Sequence, residues 1–287
     1  AYWLIAAVVC TGLYAFTAWR VQGEFFHYLT LLGGAGTLIA LTRIPAPAPA
    51  LEWSVNSVTF AGMVMSYVAG YYANKNETSR DFSKAARHLS QILIPASVFY
   101  ILFSFADVPI LFAFVFAMAG YIVLAWKFPS IVFAYSALIA SLGAVFFGLR
   151  GAAVPTEWYG LAASTVALVY LVLGQALQKV RSESGIVQNY HKALNVTGLI
   201  LIAAAVTDGI VVSFLDIWAG VLALLVATLD LVVCARLFKH TRYTFFASSL
   251  FVIPFSLAIW QWFMDAEIVQ ALAWLTVAWL GLALAYM

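Results

Sequence analysis

Long, unbroken hydrophobic runs dominate the chain, and short polar stretches separate them. Runs such as VPILFAFVFAMAGYIVLAW (residues 108–126) show no alternation of polar and apolar positions, so they predict buried helices rather than strands. A helix of this length crosses a hydrocarbon core of about 30 Å, and it pairs its own backbone groups where water is absent. The pattern predicts eleven membrane-spanning segments, at roughly 1–19, 25–42, 52–73, 89–106, 108–126, 130–149, 158–177, 194–213, 217–235, 244–262 and 268–287.

Composition supports the same fold class, an all-α polytopic membrane helix bundle. Of the 287 residues, 65% are hydrophobic and 9% are charged, and the mean hydropathy is +0.99. Soluble domains carry about 25% charged residues, so water cannot surround most of this surface. We therefore expect one transmembrane domain over residues 1–287 in the inner or plasma membrane of a cell, with lipids as its surroundings and no nucleic-acid partner.

Basic residues fall in alternate connections between the predicted segments. The odd-numbered connections hold twelve of the fourteen Lys and Arg residues, and the even-numbered ones hold only Arg43 and Arg150. Short loops rich in Lys and Arg stay on the cytoplasmic side of a membrane. The distribution predicts an outside N-terminus and a cytoplasmic C-terminus.

Two similar short sequence segments suggest an internal repeat. Glu-Trp occurs at 52–53 and again at 157–158, and Asp107 has a counterpart in Asp216 at a similar offset. A fixed period indicates tandem units, although membrane segments resemble one another through hydropathy alone. The predicted four-helix repeats are residues 51–150 and 156–262, with partial copies at 1–50 and 263–287.

Two of the connections, residues 74–91 and 178–193, are long and basic. The first has the pattern of an amphipathic surface helix, with Phe82 and Leu89 toward lipid and Lys84 toward headgroups. The alternative is a solvated loop that only sets topology. Either form would offer a protein partner a basic cytoplasmic surface.

Few polar groups lie at membrane depth, and an ionisable one there is a candidate for function. Asp230 lies inside segment nine, Asp208 inside segment eight, and Asn56 belongs to a polar cluster on segment three. These three residues are the predicted substrate-binding residues, with the aspartates suited to a proton or cation relay or to a polar substrate contact. The structural alternatives are hydration of Asp208 from outside, a hydrogen bond from a neighbouring Ser or Tyr to Asp230, and helix–helix contact for Asn56.

The four histidines occupy equivalent positions in the predicted topology. His27, His88, His191 and His240 each stand at the predicted cytoplasmic entrance of an even-numbered segment. Imidazoles from two helices can ligate a haem. The alternative is an interfacial role, because an amphipathic imidazole suits that boundary without any ligand. We expect no cofactor and no metal site.

No enzyme signature occurs in the sequence: HExxH, GxSxG and glycine-rich phosphate loops are all absent. We therefore predict no catalytic residue. The hypothesis is a transporter of a small or lipophilic substrate that passes through a cavity between helices. The alternatives are a non-catalytic subunit or sensory module and, less favoured, a histidine-ligated cofactor protein or membrane enzyme.

Overall fold

The computed structural model describes residues 2–43, 50–179, 185–262, 270, 272–277 and 279–280, and these ranges are helical apart from short connections. The predicted all-α class is confirmed, and no strand occurs within the described ranges. The helices are α1 (Tyr2–Val21), α2 (Glu24–Thr42), α3 (Ala50–Tyr72), α4 (Glu77–Ile101), α5 (Asp107–Lys127), α6 (Ile131–Gly151), α7 (Tyr159–Lys179), α8 (Gly185–Val212), α9 (Ile217–Phe238) and α10 (Thr241–Trp262).

Nine of these ten helices are long and apolar enough to cross a membrane, and the exception is α3. The chain thus has the helices of a multi-pass membrane protein. α3 is less apolar because it carries four buried polar residues, Ser54, Asn56, Thr59 and Ser66. The predicted count of eleven, the orientation and the repeats remain predictions, and most of the eleventh segment (268–287) lies outside the described residues.

Two helices begin earlier than the hydrophobic pattern predicted. Segments four and eight were expected from residues 89 and 194, but α4 begins at Glu77 and α8 at Gly185. At α4, the Asn76 side chain accepts a hydrogen bond from the Ser79 backbone N–H and caps the helix. The helix therefore starts at a polar capping signal, twelve residues before the apolar run.

The connection 74–91 is accordingly neither a separate surface helix nor a solvated loop. Its residues from Glu77 onward are the first turns of α4. Leu89, which we expected to face lipid, is 8% exposed and packs in a core cluster with Ala86 and Met65. The basic side chains engage local partners: Lys84 pairs with Asp81 at 3.1 Å.

The Cα packing divides the chain into two compact units, which we describe separately. The first unit comprises Ala1–Ala153 and Ser182–Ala193. Within it α3 packs against α2, α4 and α5, while α1 packs on α2 and α6 on α5. Glycine allows a close approach: a Cβ at Gly62 of α3 would lie 2.6 Å from Ile94 of α4. α3 is therefore an interior helix of this unit, which explains how it keeps its polar residues out of lipid.

The second unit comprises Val154–Arg181 and Leu194–Met287. Within it α9 packs against α7 and α10. The part of α8 that belongs to this unit contacts both α7 and α9 through glycines, because a Cβ at Gly198 would meet Leu171 at 3.0 Å and one at Gly209 would meet Leu224 at 3.0 Å. The three helices α7, α8 and α9 thus meet closely in one small core.

Candidate functional site

A continuous buried stripe runs along α9. Its members recur every three or four residues, which is the spacing of one helix face, and each is at most 1% exposed; they are Ala219, Ala223, Ala227, Asp230 and Cys234. The small side chains let neighbouring helices approach closely. The same spacing places the carboxyl of Asp230 in the interior of the second unit.

A matching stripe of mostly small residues runs along α7. It consists of Gly160, Ser164, Ala167, Leu171 and Gly174, all of them buried. Ser164 stands one turn after Gly160 and is 0% exposed. It supplies a hydroxyl on the face of α7 that packs against α8 and α9.

The two stripes meet at a hydrogen bond between side chains. Ser164 Oγ donates to Asp230 Oδ2 over 2.6 Å, and both residues are fully buried. The structural alternative for Asp230 required a hydrogen bond from Ser or Tyr, and Ser164 provides one. The other oxygen of Asp230, Oδ1, is buried without a hydrogen-bond partner in the described part of the chain. Asp230 therefore keeps one buried carboxyl oxygen, Oδ1, to which no described residue donates a hydrogen bond.

Asp208 reaches the same face of α7 from α8. A Cβ at Gly160 would lie 2.5 Å from Asp208 Oδ2, so a larger residue at this position would displace the carboxyl. Asp208 Oδ2 is also buried without a hydrogen-bond partner among the described residues. Gly160 and Ser164 are four residues apart, which corresponds to about 6 Å along a helix axis. The structure thus brings two of the three predicted substrate-binding residues to adjacent turns of α7.

We call Asp208, Asp230 and Ser164 the carboxyl site. It offers two acidic groups, each with an unused oxygen, and one hydroxyl in an apolar core. Such oxygens bind a cation or a hydrogen-bond donor, because acidic groups accept hydrogen bonds strongly when water is excluded. Within the described ranges no three His, Cys, Asp or Glu residues cluster as metal ligands.

The third predicted substrate residue, Asn56, lies in the other unit. It is 3% exposed, and both its Oδ1 and Nδ2 are buried without a hydrogen-bond partner in the part of the chain that the structure describes. Trp53 contacts Phe112 of α5 three residues earlier on the helix, and Phe60 contacts Phe116 four residues later. Helical spacing therefore places Asn56 on the side of α3 that faces α5.

His27 and His88 belong to the first unit and differ in environment. His27 is 6% exposed, its Nε2 has no hydrogen-bond partner among the described residues, and it lines a cavity of about 400 Å³. Its ring packs edge-on against Phe82 at 5.5 Å between centroids. His88 Nδ1 instead shares a 2.7 Å hydrogen bond with the hydroxyl of Tyr28.

The other two histidines are His191 and His240. His191 is half-buried in the part of α8 that belongs to the first unit, and His240 is exposed between α9 and α10. The hypothesis of a cofactor held by imidazoles from two helices stays a prediction.

Sequence reasoning found both aspartates but missed the residues that position them. Ser164 and Gly160 look like ordinary small residues of an apolar run. Their signal was the spacing of small side chains at 160, 164 and 167, which predicts a close-packing face. That spacing shows where α7 packs, but it does not show which helices pack there.

Comparisons with protein-family models, with curated proteins and with solved structures find no match to this chain. A functional assignment therefore has to come from the side chains themselves.

Proposed function

We propose that this chain is a membrane transport protein whose carboxyl site binds a small, lipophilic substrate carrying a cationic or hydrogen-bond-donating group. The membrane would be the inner or plasma membrane of a cell, as the basic connections suggest. One observation carries the proposal: Asp208 of α8 and Asp230 of α9 lie against adjacent turns of α7, and each keeps one buried carboxyl oxygen without a hydrogen-bond partner among the described residues. Acidic groups at membrane depth are rare because they are costly, and they commonly mark substrate or ion pathways.

The core around the carboxyl site supports the lipophilic character of the substrate. Ala167, Leu171, Ile202, Ala227 and Cys234 form its neighbouring hydrophobic cluster. A substrate that reaches the acids must therefore exchange lipid for apolar side chains and pair its polar group with Asp230. Asp230 and Ser164 are fully buried, so transport also requires α7, α8 and α9 to separate. The glycines at the contacts of these helices favour such movement, since few side-chain interactions have to break.

Reconstitution into proteoliposomes tests the proposal. Uptake of ethidium, an aromatic cation with hydrogen-bond-donating amino groups, and acidification reported by entrapped pyranine are measured under a potassium diffusion potential, with protein-free liposomes as the blank. Asp230→Asn and Asp208→Asn each keep the size of the side chain and remove its acidic group. We expect each variant to reduce uptake of at least one probe by tenfold or more relative to the unchanged chain, which corresponds to about 1.4 kcal/mol.

Asp216→Asn is the matched control. Asp216 caps α9 through Oδ1, which accepts hydrogen bonds from the backbone N–H groups of Trp218 and Ala219. Asparagine caps helices as well as aspartate does, so flux should stay at the level of the unchanged chain. Flux of both probes that is the same in all three variants would remove the carboxyl site from the transport mechanism.

A further inference from the structure

α1 and α2 touch in the middle and separate toward one end. A Cβ at Gly33 would lie 2.7 Å from Thr11 Oγ1, and Thr11 Oγ1 is 3.3 Å from Thr37 Oγ1. Beyond this contact a cleft of about 580 Å³ opens between the helices and ends at Arg43. A Cβ at Gly36 would meet no atom within 4 Å, so the cleft is open beside that residue. We call this space the first cleft.

A second cleft of about 290 Å³ lies between α2, α3 and α4. It shares Ile39 and Arg43 with the first cleft, and Val55, Val58 and Leu93 extend its apolar wall. Two mainly apolar clefts, the second of which also contains Ser54 and Ser97, therefore converge on one guanidinium at the end of α2.

Arg43 has no ion-pair partner among the described residues, and its side chain is exposed. Arg150, the other basic residue of the even-numbered connections, differs in this respect. Its Nε lies 3.0 Å from Asp107 Oδ1, a close ion pair although the two atoms are not aligned as a hydrogen bond. Arg43 thus carries a positive charge that the described part of the protein does not neutralise, at the mouth of both clefts.

We propose that an anionic phospholipid binds at this end of α2, with its phosphate on the guanidinium of Arg43 and its two acyl chains in the first and second clefts. Guanidinium groups bind phosphate oxygens in a paired geometry. The apolar walls match acyl chains, and two clefts that converge on one charge match a diacyl lipid with one headgroup. This site lies in the first unit and is independent of the carboxyl site.

Arg43 also has a purely structural explanation, because a basic residue at a helix C-terminus interacts favourably with the helix dipole. The two explanations differ in their dependence on the clefts. Only the lipid site predicts that filling the first cleft, at a distance from Arg43, weakens lipid binding.

Native mass spectrometry of the delipidated protein tests the site. The protein is titrated with dioleoyl phosphatidylglycerol, which is anionic, and with dioleoyl phosphatidylcholine, which has no net charge. One Arg near an anionic lipid surface contributes about 1 kcal/mol, or about a fivefold change in affinity. We expect Arg43→Gln to lose about fivefold in phosphatidylglycerol affinity and to lose less phosphatidylcholine affinity, because the choline group already neutralises the phosphate of that lipid.

The cleft is tested with two matched glycine variants. Gly36→Leu places a side chain in the first cleft, and we expect it to weaken binding of both lipids at least fivefold. Gly34→Leu is the control, because a Cβ at Gly34 also meets no atom within 4 Å but this residue does not line the cleft. Arg150→Gln is the control for removal of a charge. Both controls should bind both lipids like the unchanged chain.

Two results would overturn the proposal. The first is phosphatidylglycerol affinity in Arg43→Gln equal to that of the unchanged chain, which would leave only the dipole role. The second is displacement of phosphatidylglycerol by 10 mM inorganic phosphate together with unchanged binding in Gly36→Leu, which would indicate a site for small anions without acyl chains.

Discussion

The hydrogen bond between Ser164 and Asp230 offers a direct test of the carboxyl site. Both side chains are 0% exposed, and the two oxygens are 2.6 Å apart. It is the only side-chain hydrogen bond of Asp230 within the described ranges. Ser164→Ala would therefore leave an acidic group buried in the core of the second unit without that partner.

The size of the effect follows from the burial and the short distance. Leaving a buried polar group unsatisfied costs about 1–3 kcal/mol in soluble proteins, while hydrogen bonds between membrane helices average about 0.6 kcal/mol and reach about 1.7. A short hydrogen bond to an acidic acceptor should contribute a free energy near the largest value found between membrane helices. We expect a coupling free energy of about 1.5 kcal/mol between the two side chains, or slightly more than tenfold in the unfolding equilibrium.

A double-mutant cycle measures this coupling. Ser164→Ala, Asp230→Leu and the double variant are compared by steric trapping in bicelles, which reports the free energy of unfolding. Ser164→Ala should destabilise by about 1.5 kcal/mol, whereas Asp230→Leu should be neutral or stabilising, because replacing a buried acid by an apolar residue removes its desolvation cost. In the Asp230→Leu background, Ser164→Ala should cost little.

The cycle has a clear negative outcome. Independent sites add within about 0.3–0.5 kcal/mol, so a coupling free energy below about 0.3 kcal/mol would mean that the two residues do not interact as described. Asp230→Asn separates function from stability, since its amide oxygen still accepts from Ser164. A variant that folds normally but does not transport would assign the acid to transport rather than to folding.

Three further predictions concern stability, each measured by the same unfolding assay. Asn56→Val should stabilise by about 1 kcal/mol, because it removes a buried amide whose two polar atoms have no partner in the described residues; a loss of stability would contradict that reading. Gly62→Ala should destabilise by about 1–3 kcal/mol, since its Cβ would press on Cγ1 of the fully buried Ile94, and the same change should cost less in an Ile94→Ala background, which lacks that atom. Ala153 has a φ of 54° after the end of α6, so Ala153→Gly should stabilise by about 0.5 kcal/mol, whereas Ala152→Gly, at a φ of −83°, should not.

Helix positions were predictable where the hydrophobic run and the helix have nearly the same bounds. Segments five and six, expected at 108–126 and 130–149, appear as Asp107–Lys127 and Ile131–Gly151. The prediction was wrong for the start of α4, because hydropathy marks only the part of a helix that lies in lipid. Apart from Phe82, the residues of α4 that precede the apolar run are polar or small, and their helical form depends on the Asn76 cap and on burial of Ala85 and Ala86 against other helices.

The candidate site was predictable residue by residue but not as an arrangement. Asp208 and Asp230 stand out in the sequence because acids are rare in apolar segments. Their position against adjacent turns of α7 could not be predicted in this way, because it depends on Gly160 and Ser164, which lie dozens of positions away in the chain. Arg43 likewise stands out by its charge, but the clefts beside it exist only where α1, α3 and α4 pack around α2.

The sequence by itself determined that this protein consists of helices, most of them long and apolar enough to cross a membrane, because a helix satisfies its backbone hydrogen bonds locally and an apolar surface has to leave water. Only the tertiary structure decided which side of each helix is buried and which polar groups meet there. Many faces of these helices are similarly apolar, so lipid exposure hardly distinguishes them. The close contacts that glycine, serine and alanine make between helices are what distinguish one face from another.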